Sequence, residues 1–163
     1  MAKSGFLVHL FDLYGFGYSG GIRQNGRIRY FVEDLHKVVM ECYNDLPLFF
    51  MGHSLGAAVI IDYLTYNRIR VAGCMFTSPM IVVPYYWRFN IVHQFLFMVF
   101  GTLWDEVVIN TNFNPTAFAK DNFTCTKISH FLRNGIHVGI GLIRDVVRSI
   151  TTNGPKLKQF KHP

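Results

Sequence analysis

A chain of 163 residues is long enough for one domain with one core and too short for two ordinary ones. Half of it is hydrophobic and sixteen residues are phenylalanine, which excludes a disordered or low-complexity chain. The formal charge of +6 comes from basic residues scattered along the sequence until Lys156, Lys158 and Lys161, so no nucleic-acid partner is expected.

The three cysteines, Cys42, Cys74 and Cys125, are odd in number and widely spaced, with no CxxC or HxxxH companion. They indicate neither a disulfide framework nor a zinc site, and no metal or cofactor is expected. They read as reduced core thiols of an intracellular protein, cytoplasmic or peripheral to a membrane. Asn122-Phe123-Thr124 is a glycosylation sequon, but the apolar run after Met1 is short and interrupted by His9 and Asp12, unlike a secretory signal.

In chain order, Phe6-Leu7-Val8-His9-Leu10-Phe11 reads as a buried strand feeding the glycine-rich loop Asp12 to Gly21. The spacing Gly15-x-Gly17-x-x-Gly20 mimics a dinucleotide fingerprint, yet no helix opens after it, because Gly20-Gly21 and Asn25-Gly26 prolong the loop. From Tyr30 the pattern turns helical. Phe31, Leu35, Val38, Val39 and Cys42 share one face, with Glu33, Asp34, Lys37 and Glu41 mostly on the other, and the helix ends near Asn44.

The apolar run Pro47 to Met51 then ends in Gly52-His53-Ser54-Leu55-Gly56, followed by Ala57-Ala58. This reads as strand, sharp turn and helix, with a serine forced into strained backbone at the apex and small flanking residues, Gly52 and Gly56, letting strand and helix pass closely. The turn lifts the Ser54 hydroxyl clear, and the Leu55 N–H points where an oxyanion would form. His53 is expected to pack under the turn. The competing reading is a glycine-punctuated turn with a bystander serine.

Residues 57–66 continue as a helix with Asp62 as a polar position, and residues 71–77 form another buried strand stopped by Ser78-Pro79. Such alternation implies a parallel sheet with helices on its faces. Beyond Met80 the character changes. A helix over residues 88–104 is apolar almost all round, including Phe89, Val92, Phe95, Leu96, Val99 and Phe100, so it is buried, in lipid, or at an apolar ligand surface. Its uninterrupted apolar part, residues 95–101, is far below the ~20 residues that span a bilayer. A loop over residues 110–116, a helical region from about Lys127 and a last helix over residues 136–150 follow, with Gly135, Gly139 and Gly141 allowing close approach.

With Asp12-x-x-Gly15-x-Gly17-x-Ser19-x-Gly21, the helix over residues 31–39, Gly52-His53-Ser54-Leu55-Gly56 and Thr77-Ser78-Pro79 in this order, the sequence resembles the monoacylglycerol lipase branch of the α/β-hydrolases, often grouped with serine aminopeptidase-type hydrolases. The resemblance implies an α/β fold: a partial hydrolase sheet of about three parallel strands with flanking helices and a helical cap. The core would occupy residues 1–79, the cap residues 80–150, and a connection residues 151–163.

It further implies a serine hydrolase that cleaves carboxylic esters of lipid-like substrates by acyl transfer. Ser54 would be the nucleophile, Leu55 N–H an oxyanion donor, Gly52, His53 and Gly56 the rest of the elbow, and Phe89, Val92, Phe95, Leu96, Val99 and Phe100 the acyl pocket. Peripheral membrane contact would run through the cap. In that family the triad acid and histidine follow the strand after the cap, into which Phe160-Lys161-His162-Pro163 would lead, and a His-Gly segment supplying the second oxyanion N–H precedes the strand at Phe6. The chain therefore resembles an internal piece, expected to be inactive and poorly stable alone, with the strand over residues 6–11 either collapsed onto the elbow strand or, like it, left with a bare edge. Within it, only a cap histidine such as His130 or His137 could serve as base. The alternative is a non-catalytic truncated homologue that binds lipid or a protein through its aromatic cap.

Overall fold

The computed structural model describes residues 1–81, 91–104, 107–111, 119–131 and 136–153. After a single 3-10 turn at Ala2–Ser4, helix α1 (Ile28–Cys42) forms where apolar residues return every three or four positions. Ile28, Phe31, Leu35 and Val39 make its buried stripe. The helix stops at Tyr43, which is extended, ahead of Pro47.

Strand β1 (Phe49–His53), helix α2 (Leu55–Tyr66) and strand β2 (Gly73–Thr77) form one β-α-β unit. The strands pair in parallel, with Phe49 opposite Gly73 and His53 opposite Thr77. Helix α2 has no polar face over Ala57 to Tyr63 and is buried there throughout, because β1, α1 and α5 all pack on it. Phe31, Leu35, Phe50, Ile60, Tyr63 and Val146 belong to one core cluster. Tyr63 sits at its centre, edge-on to the Phe50 ring at 5.8 Å, and burial pushes its phenol above the ordinary tyrosine range.

Further along lie α3 (Ile91–Leu103), β3 (Val108–Thr111), α4 (Asn122–Phe131), β4 (Ile136–Gly139) and α5 (Ile140–Asn153). The expected start of the last helix is corrected here. Residues 136–139 pair antiparallel with β3, Val108 opposite Gly139, and the helix begins only at Ile140. Ile136-His137-Val138 is a β-branched alternation, which suits a strand better than a helix. Helix α5 then returns to the core, burying Leu142, Ile143 and Val146.

Two strand expectations are also corrected. Among the described residues the parallel sheet has two strands, and residues 6–11 form no strand and lie exposed. The Phe6 ring stands edge-on to Phe49 at 6.2 Å. An apolar run is buried only when a neighbouring strand and two covering layers receive it. Strand β2 is likewise mostly exposed, and β1 alternates: Phe50 is 7% exposed, Phe49 56% and Met51 57%. One face of the pair lies on the core and the other meets solvent.

Among the described residues no helix is long and apolar enough to cross a membrane. Of the expected connection over residues 151–163, residues 151–153 instead end α5, and residues 154–163, like Phe89, Gly135 and most of the loop over residues 110–116, lie outside the described residues.

Candidate active site

Strand β1 ends at His53 and α2 begins at Leu55, so a single residue makes the turn. Ser54 makes it at φ 50° and ψ −114°, a left-handed backbone that costs a non-glycine residue of order 1–3 kcal/mol and persists only where the surroundings impose it. Those surroundings are visible. The Ser54 N–H donates to the Thr77 carbonyl at 3.1 Å, and the Ser54 carbonyl accepts from the N–H of Ala57 at 3.1 Å and of Met80 at 3.2 Å. Ser78, at φ 45°, bends the chain after β2 between these two clamps.

Gly52 provides the close approach that the turn needs. A Cβ there would lie 2.8 Å from the Ala57 nitrogen and 2.7 Å from Ile60 Cδ1. Gly56 does not: a Cβ there would meet nothing within 4 Å, so its expected packing role is corrected. His53 is corrected too. Its ring is exposed rather than packed under the turn, with Nδ1 2.9 Å from Thr77 Oγ1 across the strand pair.

The Ser54 hydroxyl is half-buried and, among the described residues, has no hydrogen-bond partner. Leu55 N–H and Gly56 N–H open α2 without a carbonyl partner among the described residues, so two donors and the positive end of the helix stand beside the serine. No described histidine or carboxylate joins them. His36 bonds the Tyr63 hydroxyl at 3.3 Å, on the α1 side of the core. His137 lies on β4, its backbone N–H donating to Gln24 Oε1.

The described downstream acids Asp145 and Asp121 are committed elsewhere. Asp145 is paired with Arg27 and Arg144, each at 2.7 Å. Asp121 accepts the Thr124 N–H at 2.8 Å ahead of α4, and hydrogen bonding from Thr124 holds its carboxyl below the usual range. The side chains of His93, His130, His162 and Asp105 lie outside the described residues. Among the described residues no group of three metal-ligating side chains forms.

Of the acyl-pocket candidates, Phe89 and the Val92 side chain lie outside the described residues. Phe95 is 62% exposed, Leu96 and Phe100 are exposed, and Val99 is half-buried. Helix α3 packs on α5 through Gly101, whose carbonyl accepts from the Arg144 guanidinium at 2.7 Å. Its aromatic face points outward, with Phe100 stacked on Trp104 at 5.2 Å. A small cavity does lie beside the elbow helix, between Ala58, Ile61, Met80 and Ile150, and neither Phe95 nor Phe100 lines it.

Sequence reasoning missed two arrangements. The Thr77 and Met80 clamp leaves no sequence signal beyond Ser78-Pro79. The partners of Asp62, Ser149 and Asn153 on α5, were legible only as a four-residue spacing.

A strained serine between a parallel strand and the helix that follows it is the elbow geometry of the α/β-hydrolase fold, and the chain has a partial version of that fold. Over residues 1–153 it matches the family described as Serine aminopeptidase, S33, and it belongs to that family. A monoacylglycerol lipase from Paleococcus ferrophilus superposes with a TM-score of 0.80 at 18% identity, over 94% of this chain and 58% of the lipase. A soluble variant of monoglyceride lipase from Saccharomyces cerevisiae, solved with a substrate analog, gives 0.66 at 20% identity over 85% of this chain and 48% of that one.

Among curated proteins, an uncharacterized abhydrolase domain-containing protein of Dictyostelium discoideum is 27% identical over 143 residues, which are 85% of this chain and 15% of that protein. Caffeoylshikimate esterase of Arabidopsis thaliana is 31% identical over 111 residues, 60% of this chain and 32% of the esterase. The chain therefore spans a third or less of these curated relatives and about half of the solved lipases.

Proposed function

We propose that the chain carries the nucleophile of a serine ester hydrolase acting on lipid-like esters. The observation that carries this reading is the backbone of Ser54, φ 50° and ψ −114°, held between Thr77 and Met80 at the head of α2. Ser54 Oγ attacks the ester carbonyl carbon, its proton passes to a base, and the alcohol leaves to give an acyl-serine that water later cleaves. Leu55 N–H donates to the oxyanion. No described histidine or carboxylate stands beside Ser54, so the base that takes this proton belongs to residues outside the described ones. The lipid-like substrate is supported by the apolar outer face of α3 and by the two lipases that share the fold.

A second reading, a non-catalytic lipid-binding or protein-binding homologue, is favoured by a Ser54 hydroxyl with no hydrogen-bond partner among the described residues. One experiment separates them. A non-hydrolysable long-chain monoacylglycerol ether is titrated onto the purified chain while a fluorophosphonate probe reacts with Ser54. Under the hydrolase reading the ether slows labelling, and Phe95→Asp with Val99→Asp weakens its effect more than that of a short-chain ether. Binding that leaves the labelling rate unchanged favours the non-catalytic reading.

A further inference from the structure

Helix α5 carries Asp145, Ser149 and Asn153 at successive four-residue steps, so the three polar side chains share one stripe. That stripe turns inward. Asp145 takes the Arg27 guanidinium from the head of α1, Nε to Oδ2 at 2.7 Å. One and two turns on, the Ser149 hydroxyl donates to Asp62 Oδ1 at 2.6 Å and the Asn153 side-chain amide donates to the same oxygen.

Asp62 lies on α2, about two turns after Ser54, and is buried with both partners; Asn153 is 2% exposed. A buried carboxylate is strongly disfavoured unless donors reach it, and here both of these donors are neutral. Around this contact the buried residues of α2 and α5 are mostly Val, Ile and Leu, whose non-directional packing sets register less sharply than a hydrogen bond does. The carboxylate does not tolerate a shift of one turn, because hydroxyl and amide would then miss it. Arg144, next to the stripe, donates to the Gly101 carbonyl at 2.7 Å and to Thr102 Oγ1 at 3.1 Å, so α3 follows α5.

We propose that Asp62, Ser149 and Asn153 form a register lock that seats α5, and through it the aromatic helix α3, at one position on the elbow helix. Asp62 is then a positioning residue, and the lock operates whether or not Ser54 reacts. It accounts for a charge in the middle of an otherwise apolar helix.

Hydrogen exchange on the 163-residue chain tests it, comparing Asp62→Leu, Asp62→Asn and the pair Ser149→Ala with Asn153→Ala. Leucine fills the volume but accepts nothing, so the amides of α5 and α3 should exchange about tenfold faster or more while those of α1 and α2 change less than about threefold. Asparagine, whose Oδ1 can accept from the same donors, should restore most of the α5 protection, and the paired alanines should behave like leucine. Wild-type exchange in α5 with leucine at position 62 would overturn the lock, since packing alone would then seat the helix. Equal acceleration across all helices would overturn it as well, as simple loss of stability. Should the leucine variant fail to fold, Ser149→Ala alone keeps one donor, and an α5 no faster than wild type contradicts the proposal.

Discussion

Ser54 holds its unfavourable backbone because three hydrogen bonds, from Ala57, Met80 and to Thr77, leave the chain no relaxed route from β1 into α2. Replacing it by glycine should therefore raise stability by about 1 kcal/mol over the alanine variant, since glycine takes φ 50° freely. Urea melts of the two variants measure the difference, and equal midpoints would mean that the turn stores no strain. The two elbow glycines should part company in the same assay. Gly52→Ala puts a methyl into the Ala57 backbone and should cost roughly 1–3 kcal/mol. Gly56→Ala meets open space near a helix start and should gain up to about 1 kcal/mol. The sequence motif treats these glycines alike, and only the distance to Ala57 separates them. His53 shows the same limit: its place beside Ser54 was legible, but its exposure and its bond to Thr77 depend on a strand more than twenty residues away.

Among the elements, the helices were legible and the strands less so, for one physical reason. Helix α1 advertises its buried stripe within its own sequence, and Ile28, Phe31, Leu35 and Val39 are the residues it buries. A strand's burial depends on what covers it. In β1 only every second residue lies on the core, so Phe50→Ala should cost about 3–5 kcal/mol. Met51→Thr, on the solvent face, should stay within about 0.5 kcal/mol and reduce self-association. Melting curves and light scattering on both variants check this pair of outcomes. An equal loss of stability would mean that both faces are covered. Helix α5 was legible as a helix, though with its start misplaced at residue 136, but not as a core element, because its contacts with Asp62 join residues about ninety positions apart.

At the scale of the whole molecule, a core built from α1, α2, α5 and one face of β1 leaves exposed Phe49, Met51 and Met75 on the other face of the strands. Apolar strand surface of this kind favours association. The purified chain should therefore associate as its concentration rises, and a concentration-independent monomer with a sharp cooperative melt would contradict that expectation. The α/β-hydrolase class and the elbow were legible because their signals are local: a strand, a tight glycine-flanked turn and a helix. The placement of α3 was not, because it is apolar almost all round and its sequence cannot say which side meets α5. The central claim, that Ser54 is a nucleophile poised on a strained elbow, is tested most directly by treating the 163-residue chain with a fluorophosphonate and locating the adduct by peptide mass spectrometry. The account predicts an adduct on Ser54 that is absent from the Ser54→Ala variant. Labelling at another residue, or labelling undiminished by Ser54→Ala, would contradict it.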